Sequence, residues 1–511
     1  MKNYIYNLNK NHLLFLGILF VMISSCKKEE DILREVPLDF LAPENAYTTF
    51  DGIYQGINGL HAYNRDNWWF EMNVRGGSTL QDIAWWSIGT DEAFYGENPG
   101  GGILSNYTLN LTSTYASVNS CWQQNYSMIQ KVNMLIESIN ASDPKIWKNE
   151  AQKNAYLAEA MFFRAFSYRI LVSYFGDVPL VTDVIRTAKT DFVRAPKEEI
   201  YELMEEDLIF AASHLPARGE EEAPGRITQG VAWHYLSETY LSEGKYQLAV
   251  DAATHVINDY GYALMTERFG TRLSNDIWGG GDPFYDLFGY GNHNLTENTE
   301  GIWVIQIEPY IPGGAINSGE RCYGPAYHRW GKTPDGFNAF RGDFVNGTYT
   351  GFSDSLGRGV AWVRPTDYAL YKIWRDNGQW NIDIRNAKWN IKRDFYFDAP
   401  GSIYDKQKIS SSLYPAGTRN LMIDTCQYIF PWFTKFGDPL NHFTYASQAG
   451  NGYCHKDIYA LRLPETLLLR AEAYVRLDNL EAAAADINLI RTRANATPVL
   501  PENVTLDYIL D

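Results

Sequence analysis

Residues 228–259 read TQGVAWHYLSETYLSEGKYQLAVDAATHVIND, and this stretch decides the fold. Trp233, Leu236 and Tyr240 recur at helical spacing, Gly244 interrupts the run, and Tyr246 and Ala249 resume it. Tyr240 is placed to pack a helix pair, Gly244 to permit a tight turn, and Ala249 to let the second helix approach closely. A second copy runs over 467–494 with Leu467, Tyr474, Leu480, Ala483 and Ile487, but Asp478 stands at the turn where glycine is usual. Upstream, the spacing of Trp122, Tyr126, Ile129, Asn133 and Ile136 predicts a helix over 122–140. Leu157, Met161, Ala165, Tyr168, Val172 and Phe175 predict another over 153–175, and a third starts at Pro196 and closes before Pro216. Asn133 falls on an apolar stripe, which implies a buried amide with hydrogen-bond partners.

The two copies resemble tetratricopeptide repeats, helix pairs that stack into a scaffold. Between them, residues 266–458 are rich in Gly, aromatics, Asn and Asp, and only short pieces such as 302–307 look like strands. Residues 46–118 are similar in character. Two hundred residues without structure are improbable in a compact fold, so a looped subdomain docked on the helices is expected. Loops displayed on a rigid scaffold are where binding residues concentrate.

The 511-residue chain carries 61 acidic and 44 basic residues, a net charge of −17, which argues against a nucleic-acid partner. Lys2 and Lys10 precede an apolar run, Leu13 to Ile23, too short to cross a bilayer of ~30 Å but of signal-peptide length. It ends Ile23-Ser24-Ser25-Cys26, similar to a bacterial lipobox in which Cys26 would be acylated; an ordinary secretory signal is the alternative. Cys121, Cys322, Cys426 and Cys454 show no C-x-x-C spacing, and four cysteines leave three disulfide connectivities open. The histidines form no H-E-x-x-H pattern, so neither a metal nor a cofactor is expected.

Further blocks carry a family resemblance. Residues 158–168 (AEAMFFRAFSY) and 174–182 (YFGDVPLVT) resemble a signature of the RagB/SusD nutrient-binding outer-membrane lipoproteins. Thr90-Asp91-Glu92, residues 333–337 (TPDGF), 461–473 (LRLPETLLLRAEA) and 488–494 (NLIRTRA) are similar to the family's other blocks, in the family's order. The acidic run after Cys26, Glu29-Glu30-Asp31, resembles the surface-export signal of Bacteroidetes lipoproteins. The resemblance implies a mainly α, SusD-like fold: tetratricopeptide-like helix pairs with a large loop-rich subdomain, poor in regular structure, docked on them. It divides the chain into a lipoprotein signal peptide (1–25), a lipidated tether (26–45), a helical region with an aromatic loop at 61–107 (46–265), a loop-rich ligand-binding insertion (266–458) and a C-terminal helical repeat (459–511). Family members usually continue beyond the equivalent of residues 506–511, so the last repeat is expected to be truncated.

The resemblance further implies a non-catalytic surface lipoprotein of the outer membrane, anchored through Cys26. It would capture an oligosaccharide and deliver it to a SusC-like TonB-dependent transporter. Sugar rings present apolar C–H faces and hydroxyl edges, so aromatic platforms with polar rims suit them. The chain is unusually rich in rings, with 15 Trp, 35 Tyr and 25 Phe, and those outside the helical stripes concentrate in 61–107 and 278–462. By position the candidates are Trp85, Trp86, Tyr95 and Asn98 around the Thr-Asp-Glu block, Tyr323 and Trp330 before Thr333-Pro334, and Trp278 in a Gly-rich loop. Arg321, Arg329 and Lys332 make a local basic patch that could override the net charge. Two other readings compete. The ligand could be a non-carbohydrate nutrient such as a peptide. A glycoside hydrolase would need two carboxylates ~5–10 Å apart, and no acid/base pair stands out.

Overall fold

The computed structural model describes residues 46–68, 88–96, 107–274, 276–308, 311–341, 344–345, 348–349, 356–376, 378–409, 427–438, 440–441 and 454–510. Its frame is a series of long helices: α1 (Phe50–Trp68), α2 (Ala116–Ala141), α3 (Glu150–Phe175), α4 (Lys197–His214), α5 (Gln229–Ser242), α6 (Tyr246–Asp259), α7 (Leu463–Arg476) and α8 (Leu480–Arg493). Each packs against the next in the series, and α6 packs against α7 although residues 260–462 intervene. The two repeat copies are thus neighbours in one helical stack, and a continuous apolar core runs from Ile53 in α1 to Ile490 in α8.

Local signals set the helix ends. Asn149 caps α3 by accepting the Gln152 N–H, and Gly176 closes it at φ 66°. Gly244 makes the α5–α6 turn at φ 78°. In the second repeat Asp478 adopts φ 59°, the same left-handed conformation, at a cost of roughly 1 kcal/mol that glycine avoids. Residues 61–68 of the aromatic loop expected over 61–107 are helical instead, because α1 continues to Trp68. Ile53, Ile57, Leu60 and Asn64 are its buried stripe.

Buried charge is paired across helices. Arg164 of α3 makes two 2.8 Å bonds to Asp207 of α4 and donates to Asn133 of α2 at 3.2 Å. Asn133 in turn donates to the Val181 and Asp183 carbonyls, as its place on the stripe requires. Arg470 of α7 grips Asp486 of α8 and reaches Thr254 of α6, fixing the second repeat to the first.

The insertion leaves and rejoins the stack side by side. Its first strand, β2 (Gly301–Ile305), pairs antiparallel with its last, β4 (Ile458–Arg462). Glu300, fully buried, accepts from Arg462 (2.7 Å), Arg493 (2.6 Å) and the Met265 N–H (3.0 Å), joining both strands to α8. Beyond this base, small separate clusters replace a single core. One surrounds Trp362 and another gathers Tyr327, Trp330, Phe397 and Trp432. Residues 88–96 belong spatially to the insertion, since β1 (Ala93–Tyr95) pairs antiparallel with β3 (Val363–Pro365). Cys121, Cys322 and Cys454 are buried, and no disulfide joins them to one another.

Candidate functional site

The β1–β3 pair brings together residues far apart in sequence. Tyr95 lies opposite Val363, and the Gly96 N–H donates to the Trp362 carbonyl at 3.0 Å. A short helix, Gly319–Tyr323, packs on the same cluster through the buried Cys322, whose thiol burial pushes up to about 12. Val360 donates its N–H to the Arg321 carbonyl, and the Arg321 guanidinium lies 5.1 Å from the Trp362 ring. Arg364 covers the Phe94 ring at 5.1 Å. Tyr95 and Tyr323 are half-buried at the rim of this cluster, and Phe436 stacks on one face of Tyr323 at 3.9 Å and 8°.

Glu320 holds this face from below. It is fully buried, with one oxygen accepting the Arg358 N–H (2.7 Å) and the other the Asp438 N–H (3.0 Å). One carboxylate therefore ties the Tyr323 helix to the chain on either side of the cluster.

Of the candidates, Tyr95 and Tyr323 meet in one cluster. Trp330 sits instead in the neighbouring core, 5% exposed, against Phe340 and Phe397. Trp278 is 6% exposed, edge-on to Tyr285 and beside the Arg272 guanidinium. Rings so enclosed present little face to a ligand. Trp85, Trp86, Asn98 and Cys26 lie outside the described residues. Sequence reading missed Trp362, Arg364 and Phe436, which join the site only through long-range pairing. The one local hint was Trp432-Phe433-Thr434-Lys435-Phe436, three aromatic residues flanking a lysine.

Phe436 also walls a cleft of about 220 Å³ between the insertion base and the 434–438 turn. Phe288, Tyr459, Lys435, Lys456 and Arg462 line it further. Burial pushes the Lys456 amine down to about 8, and its Nζ donates to the Lys435 carbonyl at 2.6 Å and the Gly437 carbonyl at 3.0 Å. Lys435 keeps some solvent contact, yet the crowded concavity and the nearby Arg462 guanidinium push its amine down to about 8 as well. Desolvation raises the Asp457 carboxyl to about 6, and its two oxygens accept from the Ile307 N–H and from Asn294. Glu465 is exposed, and its crowded surroundings and the Glu238 carboxylate raise its carboxyl above the usual carboxylate range. Among the described residues no group of His, Cys, Asp and Glu is arranged to hold a metal ion, and no helix is long and apolar enough to cross a membrane.

Comparisons with known proteins bear on this geometry. Residues 47–241 match a family model described as "Starch-binding associating with outer membrane", and residues 368–511 match one described as "SusD family". Among curated proteins, SusD-like protein P2 of Formosa agariphila is 28% identical over 279 residues, covering 53% of this chain and 49% of that protein. A SusD-like protein of Bacteroides ovatus is 24% identical over 316 residues, covering 59% and 50%. The chain spans about half the length of the curated relatives it matches. Among solved structures, a laminarin binding SusD-like protein superposes with a TM-score of 0.62 at 20% identity, covering 91% of this chain and 87% of that one. Surface glycan-binding protein A from Bacteroides uniformis does so with 0.58 at 18%, covering 90% and 84%. At these identities the likeness establishes the fold, and the mainly helical scaffold expected from the repeats is the one these structures share.

Proposed function

The chain belongs to the SusD/RagB family, and from that premise we propose that it is a non-catalytic glycan-capture protein of the outer membrane. Tyr95 and Tyr323 supply the stacking faces for an oligosaccharide, and the arginines beside them supply hydrogen-bond donors to hydroxyls. The observation that carries this reading is the joining of those two half-buried rings in one cluster, braced by the β1–β3 pair and Glu320. Aromatic rings give contact area at low entropic cost, so a braced pair is suited to reversible stacking. Two similar structures are named for carbohydrate binding, one for laminarin and one for glycan, and these names support the ligand class.

Titration calorimetry with a panel of oligosaccharides tests the reading. Tyr95→Ala and Tyr323→Ala are each expected to weaken binding at least tenfold, about 1.4 kcal/mol, with the helical scaffold intact. Binding of peptides and of no glycan would overturn the carbohydrate assignment. Shortened products after prolonged incubation would overturn the non-catalytic one.

In this reading the protein passes its glycan to a SusC-like TonB-dependent transporter and is held at the membrane by acyl chains on Cys26. Each buried CH₂ contributes ~0.8 kcal/mol, so several chains suffice for stable anchoring. Cys26→Ala should release the protein from the membrane fraction and abolish incorporation of labelled fatty acid. Persistent labelling of that variant would rule out Cys26 as the anchor.

A further inference from the structure

We propose that the cleft beside Phe436 is a subsite for an anionic substituent of a saccharide, a carboxylate or a sulfate, received by Lys435 and Lys456. The inference rests on the glycan-capture reading and narrows it to acidic glycans.

Charge accounting within the cleft points to an anion. Arg462 is satisfied by Glu300 at 2.7 Å. Neither lysine forms a salt bridge among the described residues. Lys456, 2% exposed, spends two of its three N–H groups on backbone carbonyls, and the Asp438 and Glu320 carboxylates act on it without forming an ion pair. The Lys435 Nζ lies 5.0 Å from the centre of the Phe436 ring and 5.8 Å from that of Phe433. Of the lining carboxylates, Asp457 has both oxygens occupied by the Ile307 N–H and Asn294. Glu465 is exposed and makes no ion pair with either lysine among the described residues. Glu92 acts on Lys435 from a distance and makes no ion pair with it. Two desolvated ammonium groups that form no ion pair with a carboxylate among the described residues are costly to keep charged. An entering anion would remove that cost and gain charge-assisted hydrogen bonds.

The walls fit a sugar carrying the anion. Phe288, Phe436 and Tyr459 offer apolar surface, and about 220 Å³ suits a single ring and not a chain. Phe436 is also the ring stacked on Tyr323, so the cleft and the aromatic platform share one ring. A glycan lying on Tyr95 and Tyr323 could direct one acidic residue into it.

Calorimetry at low salt on the full chain tests this with four probes. They are an oligouronate, its carboxyl-reduced neutral form, a sulfated oligosaccharide and its desulfated form. At least one acidic probe should bind tenfold or more tightly than its neutral counterpart, and which one does identifies the anion. Added salt should shrink that preference. Lys435→Gln should abolish the preference and leave neutral binding unchanged, whereas Lys435→Arg should keep it. Equal binding of both members of each pair by the native protein, or a preference that survives Lys435→Gln, overturns the subsite and leaves glycan capture standing. Failure of all four probes, together with an inert wider glycan panel, overturns both.

Discussion

Glu300→Ala is expected to lower stability by about 3–5 kcal/mol, seen as an earlier urea transition in the helical circular dichroism signal. Glu300 is fully buried and serves Arg462, Arg493 and the Met265 N–H at once. Removing it leaves the Arg493 side chain, 2% exposed, as a charge with no counter-ion in the core. The penalty is therefore mainly that of the stranded cation and less that of a lost attraction. This makes a second result diagnostic: adding Arg493→Met to Glu300→Ala should recover a large part of the loss. A loss under about 1 kcal/mol in the single variant, or no recovery in the double, would mean that the insertion base is held by the β2–β4 ladder alone.

The helix pairs were legible because their information is local. Trp233, Tyr240, Gly244 and Ala249 sit within one repeat, and periodicity reads them directly. Even the departure at Asp478 was legible, and its φ of 59° shows that the turn geometry persists without glycine. The first helix was less so, because Gly52, Gly56 and Gly59 gave it the composition of a loop. Gly52 and Gly56 serve tight packing, whereas a Cβ on Gly59 would meet open space. A Cβ on Gly56 would lie 2.5 Å from the Leu135 side chain of α2, and one on Gly52 would lie 1.9 Å from the Ala46 carbonyl oxygen.

The site was half legible for a different reason. Tyr95 and Tyr323 stand beside motif blocks that the sequence displays. Their meeting depends on β1 pairing with a strand some 270 residues away, across an insertion built from two- to five-residue strands. Such short ladders carry no alternation to read. Trp278 and Trp330 show the converse: a loop of aromatic composition can place its rings in its own small cores. Composition located the region, and burial decides which rings remain for a ligand.

Glu320→Ala should disorganise the binding face while sparing the helical stack. The variant is expected to keep its far-ultraviolet circular dichroism, to become open to limited proteolysis within 319–363 and 427–441, and to lose ligand affinity by well over tenfold. Each charge-assisted bond from its carboxylate to a buried backbone N–H is worth roughly 1.5–3 kcal/mol, and two such bonds, to Arg358 and Asp438, would go together. Those bonds connect small clusters that have no shared core to fall back on, whereas the helices keep theirs. Gly357→Ala probes the same joint from the other side. Gly357 sits at φ 63°, and a Cβ there would fall 1.8 Å from the Glu320 carboxylate, so the carboxylate must move. The two variants should share one proteolysis pattern. Glu320→Gln should not rescue it: both oxygens face N–H donors, and an amide has only one oxygen to offer, so either orientation sets an NH₂ group against a backbone N–H. A Gln variant with native protease resistance would show that a single accepted N–H is enough to hold the face, and that the second oxygen contributes nothing to it.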